Sequence, residues 1–199
     1  MALLSVELEQ LDQTAIALWH NEQGHRQYSR IMRILTVQGP TDLLETARHF
    51  ALLGLAMGDG FVSSFEAIYA YRFVRPVTAI RAGDADGVPE TAGDPTWTPF
   101  FVTPPFPEYP SIRAVSATAA AEVIKKAFGN HASFDTTAPA VPGITRHFED
   151  VDAFVADGQE AEIYQGIHFR TAVVEGRKQG KKIGKLVLEH ALRPLDDEE

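Results

Sequence analysis

Residues 107–116 read Pro-Glu-Tyr-Pro-Ser-Ile-Arg-Ala-Val-Ser. Pro110 ends a proline-rich loop, and Ser111 is the type of residue that caps a helix, its oxygen taking up one of the unpaired amides of the first turn. The segment from Ile112 to Phe128 then runs without a breaker until Gly129, which reads as one helix with its stop. A helix N-terminus with Arg113 in its first turn suits an anion, because the free amides and the dipole are positive there. Ile112 opposes that reading, since it puts a branched apolar side chain where a bound anion needs bare backbone. The stretch thus predicts helices launched from ordered loops, and leaves open what its mouth holds.

Outward from this point the chain reads as helix after helix. Leu4, Leu8, Leu11, Ala15, Leu18 and Trp19 form one helical stripe, and Ile31, Ile34 and Leu35 a second over residues 25–37. Gly39-Pro40 breaks that segment. Thr41 is read as the cap of a long helix from Asp42 to about Arg75, with Asp42 and Glu45 at its positive end and Pro76 as its stop. Residues 77–110 hold seven of the twelve prolines. Trp97, Phe100, Phe101, Phe106 and Tyr109 are too apolar for a solvated linker, so this is a packed loop over a site. Residues 135–145 read as a second loop, followed by helices from about 148 to 164 and from about His168 to Ala191. No strand pattern emerges. In the last helix Ala172, Gly176, Gly180 and Gly184 recur every four residues, a close-approach face for another helix. The aromatic set Tyr69, Tyr71, Phe73, Trp97, Phe106 and Tyr109 is read as core.

With 199 residues, 45% hydrophobic and 23% charged, the chain suits one domain with its own core, taken as 1–199 with an acidic, frayed tail at 195–199. The net charge of −9 argues against a nucleic-acid partner, which calls for a basic surplus. No uninterrupted apolar run reaches membrane-spanning length, and the acidic start lacks the basic front of a secretory signal. Zero cysteines exclude disulfides, thiolate metal sites and a cysteine nucleophile. A cytoplasmic protein is expected. His20, His25, His131 and His147 show no metal-ligand spacing, and Asp84 and Asp86 mark a turn rather than a calcium loop.

Three stretches then fall into order: Arg-Phe-Val-Arg-Pro at 72–76, Pro-Glu-Tyr-Pro-Ser at 107–111, and Gly-Ile-His-Phe-Arg at 166–170. With Pro-Val-Thr-Ala-Ile-Arg (76–81) and Gly-Asp-Pro-Thr-Trp-Thr-Pro (93–99), they resemble the vanadium-dependent haloperoxidase and type 2 phosphatidic acid phosphatase superfamily, in its soluble bacterial branch, from about Trp19 to Leu192. The resemblance implies an all-α bundle of about six helices with long proline-rich loops. It also implies that larger relatives carry a further helical half in front, which this chain is expected to lack. It implies a pocket for a tetrahedral oxyanion, vanadate or phosphate, built from a lysine and two arginines, a Pro-Ser-Gly-His turn and a final histidine that bonds the oxyanion's central atom.

Position by position, Arg75, Ser111 and His168 match that pattern. Ile68 stands where the lysine would be, Ile112 at the glycine, Arg113 at the acid–base histidine, Ala161 and Glu162 at the Ser-Arg pair, and Ala172 where an aspartate often follows. Arg75 and Arg113 minus Glu162 leave one positive charge where the pattern has three. A carboxylate about 4 Å from an oxyanion costs about 4 kcal/mol at an effective dielectric near 20. Vanadate is therefore expected not to bind, and no other cofactor or metal is expected. The candidate catalytic residues are His168, Arg113 and Glu162. The candidate substrate-binding residues are Arg75, Ser111, Arg113 and Tyr109. The preferred reading is a pocket closed by an Arg113–Glu162 pair with Ile68 and Ile112, in a non-catalytic or assembly protein. The alternative is a metal-independent isomerase, cyclase or hydrolase acting on a small organic molecule. Retained haloperoxidase or phosphatase activity is the minor alternative. A homodimer is expected through an apolar face left uncovered by the missing half.

Overall fold

A computed structural model describes residues 12–193. The expected stripe at Leu4, Leu8 and Leu11 and the acidic tail at 195–199 lie outside them. Helix α1 occupies 12–19, α2 Gly24–Gln38, α3 Leu43–Tyr71, α4 Pro76–Arg81, α5 Ile112–Phe128, α6 Val151–Tyr164 and α7 Arg170–His190. A 3-10 turn covers Gly83–Ala85.

Helix α5 forms the axis of the bundle. It touches α2, α3, α6 and α7, and it is buried on nearly every side because Ala and Val dominate it. The glycine stripe of α7 packs against it. A Cβ added to Gly176 would come within 2.9 Å of the Ser111 carbonyl, and one on Gly184 within 2.9 Å of the Ala119 carbonyl. One added to Gly180 would run into the carbonyl of Val115. The stripe is therefore internal packing. Phe134, Phe148, Phe154 and Tyr28 pack ring on ring within the same core.

Four local expectations are corrected. Asp42, not Thr41, caps α3, its carboxylate accepting from the Glu45 amide at 2.7 Å. Helix α3 ends at Tyr71 because Arg72 takes a left-handed conformation (φ 51°), and Pro76 then opens α4 rather than stopping a helix. His168 precedes α7 instead of starting it. Finally, Phe134–Thr137 and Thr145–Phe148 pair as an antiparallel hairpin, β1 and β2, with Phe134 opposite Phe148. Each strand is only four residues long, too short for an alternating pattern to stand out, and it is held by the stacking of its two buried phenylalanines.

The stretch Leu43–Arg81 is long and apolar enough, by length and composition alone, to cross a bilayer. An uninterrupted-run criterion misses this because Asp59 and Glu66 break the sequence. Within the fold the same helix lays one side on α5 and α7.

Candidate functional site

His168 sits in the short link between α6 and α7 and is 7% exposed. Its Nδ1 lies 3.1 Å from Oε1 of Glu108. The same oxygen accepts the Phe169 amide at 2.8 Å. Glu108 is 1% exposed and is anchored by its own amide, which donates to the Phe73 carbonyl at 2.9 Å. On the other ring nitrogen, Nη1 of Arg75 lies 3.0 Å from Nε2. A guanidinium only donates, so Nε2 is the acceptor and Nδ1 carries the proton toward Glu108. Arg75 also donates to the carbonyls of Ile167 (2.8 Å) and Phe106 (3.0 Å) and lies over the Phe106 ring. Its Nη2 is buried without a hydrogen-bond partner. Burial draws the Arg75 pKa below the usual arginine value, against the opposing influence of Glu108 and Glu162.

The second half of the site grows from the cap of α5. The Ser111 hydroxyl accepts the Ala114 amide at 3.1 Å and donates its own hydrogen to Oε2 of Glu162. One residue thus starts the helix and pins a buried carboxylate. Oε1 of Glu162 points the other way, 3.6 Å from Nε of Arg113 and 3.9 Å from Nε2 of His168, beyond hydrogen-bond distance of both. Arg113 is steadied from α2 and its approach, donating to the Gln27 side chain (3.2 Å) and the Glu22 carbonyl (2.8 Å). These bonds leave further guanidinium hydrogens for a ligand.

These groups face a cleft of about 650 Å³. Arg113, Glu162 and His168 lie on one side, with Phe61, Phe65, Phe106, Ile112 and Ile167 as apolar walls. The predicted Arg113–Glu162 pair is present, yet the cleft stays open beside it. Ile112 forms a wall, and Ile68 is buried in α3 away from the opening. Arg75 and Ser111 stand behind the lining as supports. Tyr109 is not brought to this cleft. It packs edge-to-face on Tyr71, between two other surface hollows. Tyr69, Tyr71 and Phe73, expected in the core, are each more than half exposed, because no element of the described residues covers the outer side of α3.

Glu108 is the site residue that sequence reasoning missed. It lies inside the stretch that decides the fold, but a glutamate in a proline-rich loop carries no signal of burial. Its presence changes the electrostatics. Two guanidiniums now face two carboxylates, so the fixed charge is zero, below the single positive charge counted from Arg75, Arg113 and Glu162. It also supplies the partner of His168 that Ala172 cannot.

Residues 48–197 match the family model of the VCPO second helical-bundle domain. Among solved structures, the chain is similar to the first bacterial vanadium-dependent iodoperoxidase, with 30% identity and a TM-score of 0.74, over 84% of this chain and 39% of that one. It is also similar to a holo-type bacterial vanadium-dependent chloroperoxidase, with 20% identity and a TM-score of 0.71, over 89% of this chain and 43% of that one. At that identity the second likeness concerns the fold. The chain thus spans well under half the length of either structure. No curated protein matches it. The family match across most of the chain, on a helical bundle that sets Arg75, Ser111 and His168 around one site, identifies this protein as a member of the vanadium haloperoxidase-like superfamily.

Proposed function

We propose that this chain has given up vanadate and phosphate chemistry and uses the same cleft, without metal, to move a proton on a small organic molecule. The observation that carries the proposal is the position of Glu162. Its carboxylate already takes the Ser111 hydroxyl and faces Arg113 and His168, so an anion of the protein's own sits among the donors an oxyanion needs and repels it. Arg75 commits Nε and Nη1 to Phe106, Ile167 and His168, so only the buried Nη2 is left to meet an anion. A vanadate or phosphate entering here meets a carboxylate and no net positive charge, which is a poor fit.

Glu162 is arranged instead as a base. Oε2 is fixed, Oε1 faces an apolar cleft, and Arg113 lies alongside to hold the oxygen of a carboxylate or enolate. His168 is held in one tautomer by Glu108 and Arg75, and its Nε2 is committed to Arg75, so Oε1 stays without a donor of its own. The substrate class is a small aryl or alkyl carbonyl compound with an acidic C–H. The reaction class is proton abstraction and return, as in an isomerase or cyclase. Action in the cytoplasm is part of the proposal, and a chain without cysteine has no disulfide to lose there. The test is solvent-deuterium exchange into phenylpyruvate followed by NMR. Catalysed exchange that vanishes in Glu162→Gln supports the reading. Exchange unchanged by that substitution removes it.

A second reading has its own support. Arg75 and Glu108 both bond the His168 ring, and Ser111 bonds Glu162, as buried polar groups in a purely structural cluster would. A non-catalytic role predicts that Glu162→Gln changes stability alone.

A further inference from the structure

Helix α3 has an outer strip that none of the described residues covers. Leu44, Ala47, Ala51, Gly54, Leu55, Gly58, Phe61, Val62, Phe65 and Tyr69 recur at helical spacing and are all exposed. Val62 is 71% exposed and Tyr69 56%. No charged residue interrupts the strip. Arg48, Asp59 and Glu66 lie together along one edge. Above Gly54 and Gly58 the space is open, and a Cβ at either would meet nothing within 4 Å. The strip runs the length of a 29-residue helix, about 43 Å at 1.5 Å per residue. A contiguous apolar surface of this size on a protein of net charge −9 marks an interaction site.

We infer that the strip binds a second copy of this chain, with the two α3 helices antiparallel about a two-fold axis near Gly58. Shape and charge both select this occupant. Between Leu44 and Leu55 the N-terminal half of the strip is small (Ala47, Ala51, Gly54), and the C-terminal half carries Phe61, Phe65 and Tyr69. Antiparallel pairing sets large against small and lets the helices close at the glycines. Parallel pairing would stack the aromatic halves on each other. In an antiparallel pair like edges meet, so the same register brings Arg48 of each copy within a turn of Glu66 of the other, one such pair on either side of the two Asp59 side chains near the axis. Arg48 spends only Nε, on the Leu192 carbonyl, and Glu66 has no ion-pair partner among the described residues. Phe61 and Phe65 also line the cleft beside Glu162 and His168. The second copy would therefore lay Ala47 and Ala51 along the open rim and complete its wall.

Sedimentation velocity on the 199-residue chain between about 1 and 100 µM tests the inference. A reversible dimer is expected. Val62→Glu should give a monomer with an unchanged circular-dichroism spectrum. Arg48→Glu should raise the dissociation constant about tenfold, and Arg48→Glu with Glu66→Arg should restore it. A monomer at every concentration overturns the inference. So does a dimer indifferent to the charge reversal and its repair. Monomers that co-sediment with phosphatidylcholine vesicles would reassign the strip to a lipid surface and equally overturn it.

Discussion

Glu108 holds His168 from behind, 3.1 Å from Nδ1, and the same oxygen takes the Phe169 amide. Glu108 and the His168 ring are both buried where the α6–α7 link enters the cleft. Removing the carboxylate leaves a buried ring N–H and a part-buried amide without this acceptor. Glu108→Ala is expected to cost about 3 kcal/mol and Glu108→Gln about 1 kcal/mol. Urea unfolding at constant slope checks both, and equal effects of the two would deny the hydrogen bonds their role.

Vanadate and phosphate titration by calorimetry should give no binding below millimolar concentration in the native protein. Arg113→His with Glu162→Arg removes a carboxylate from the pocket and keeps its cation count. That double substitution should strengthen oxyanion binding by about 100-fold or more. Micromolar affinity in the native protein would show that the carboxylate yields to the anion, against the proposed function.

Acid stability should fall in two stages, both traceable to one buried pair. Burial lowers the pKa of His20, with the Asp157 hydrogen bond only partly offsetting it. Burial of Asp157 alone would raise its pKa, but the bonds from His20 and Arg146 outweigh that and hold it low. For His20 the unfolded chain gains a proton near its ordinary 6.5 while the folded ring resists, so stability is complete above about pH 6.5 and declines below it. For Asp157 stability is present above the ordinary carboxylate value of 3.8 and is lost as pH falls through the lowered folded value. His20→Gln should flatten the first decline and weaken the second, which keeps the Arg146 bonds. Denaturant unfolding across pH 3–8 gives the answer, and an unaltered profile would mean that another group governs it.

Gly180→Ala should destabilise the bundle by about 3 kcal/mol or more. The added methyl collides with backbone of α5 at Val115, which cannot rotate away. At Gly54 the same change meets open space within one chain. It should leave the monomer as stable or slightly more so through helix propensity. Thermal unfolding of the two variants separates a packed glycine from an uncovered one.

Much of the architecture was legible because its signals are local. Ser111 and Gly129 bracket α5 by capping chemistry, and the glycine stripe of α7 announces a close helix contact by spacing alone. Arg75, Ser111 and His168 could be picked out by their order along the chain. The hairpin escaped because four-residue strands carry too little alternation. The start of α4 escaped because a proline reads equally as a stop or as a first-turn residue until the backbone before it is known.

The sequence by itself determined which residue types could meet: an arginine and a glutamate altered in complementary senses, a histidine without its usual aspartate, and a mouth narrowed by Ile112. Only the tertiary structure decided that Arg113 and Glu162 pair without closing the cleft. Only it brought Glu108 across 60 residues to His168, and left Tyr109 on another surface. The reason is physical. Caps and periodicities depend on neighbours a few residues away, whereas the burial of a carboxylate, the tautomer of a histidine and the net charge of a pocket depend on which distant segments exclude water together.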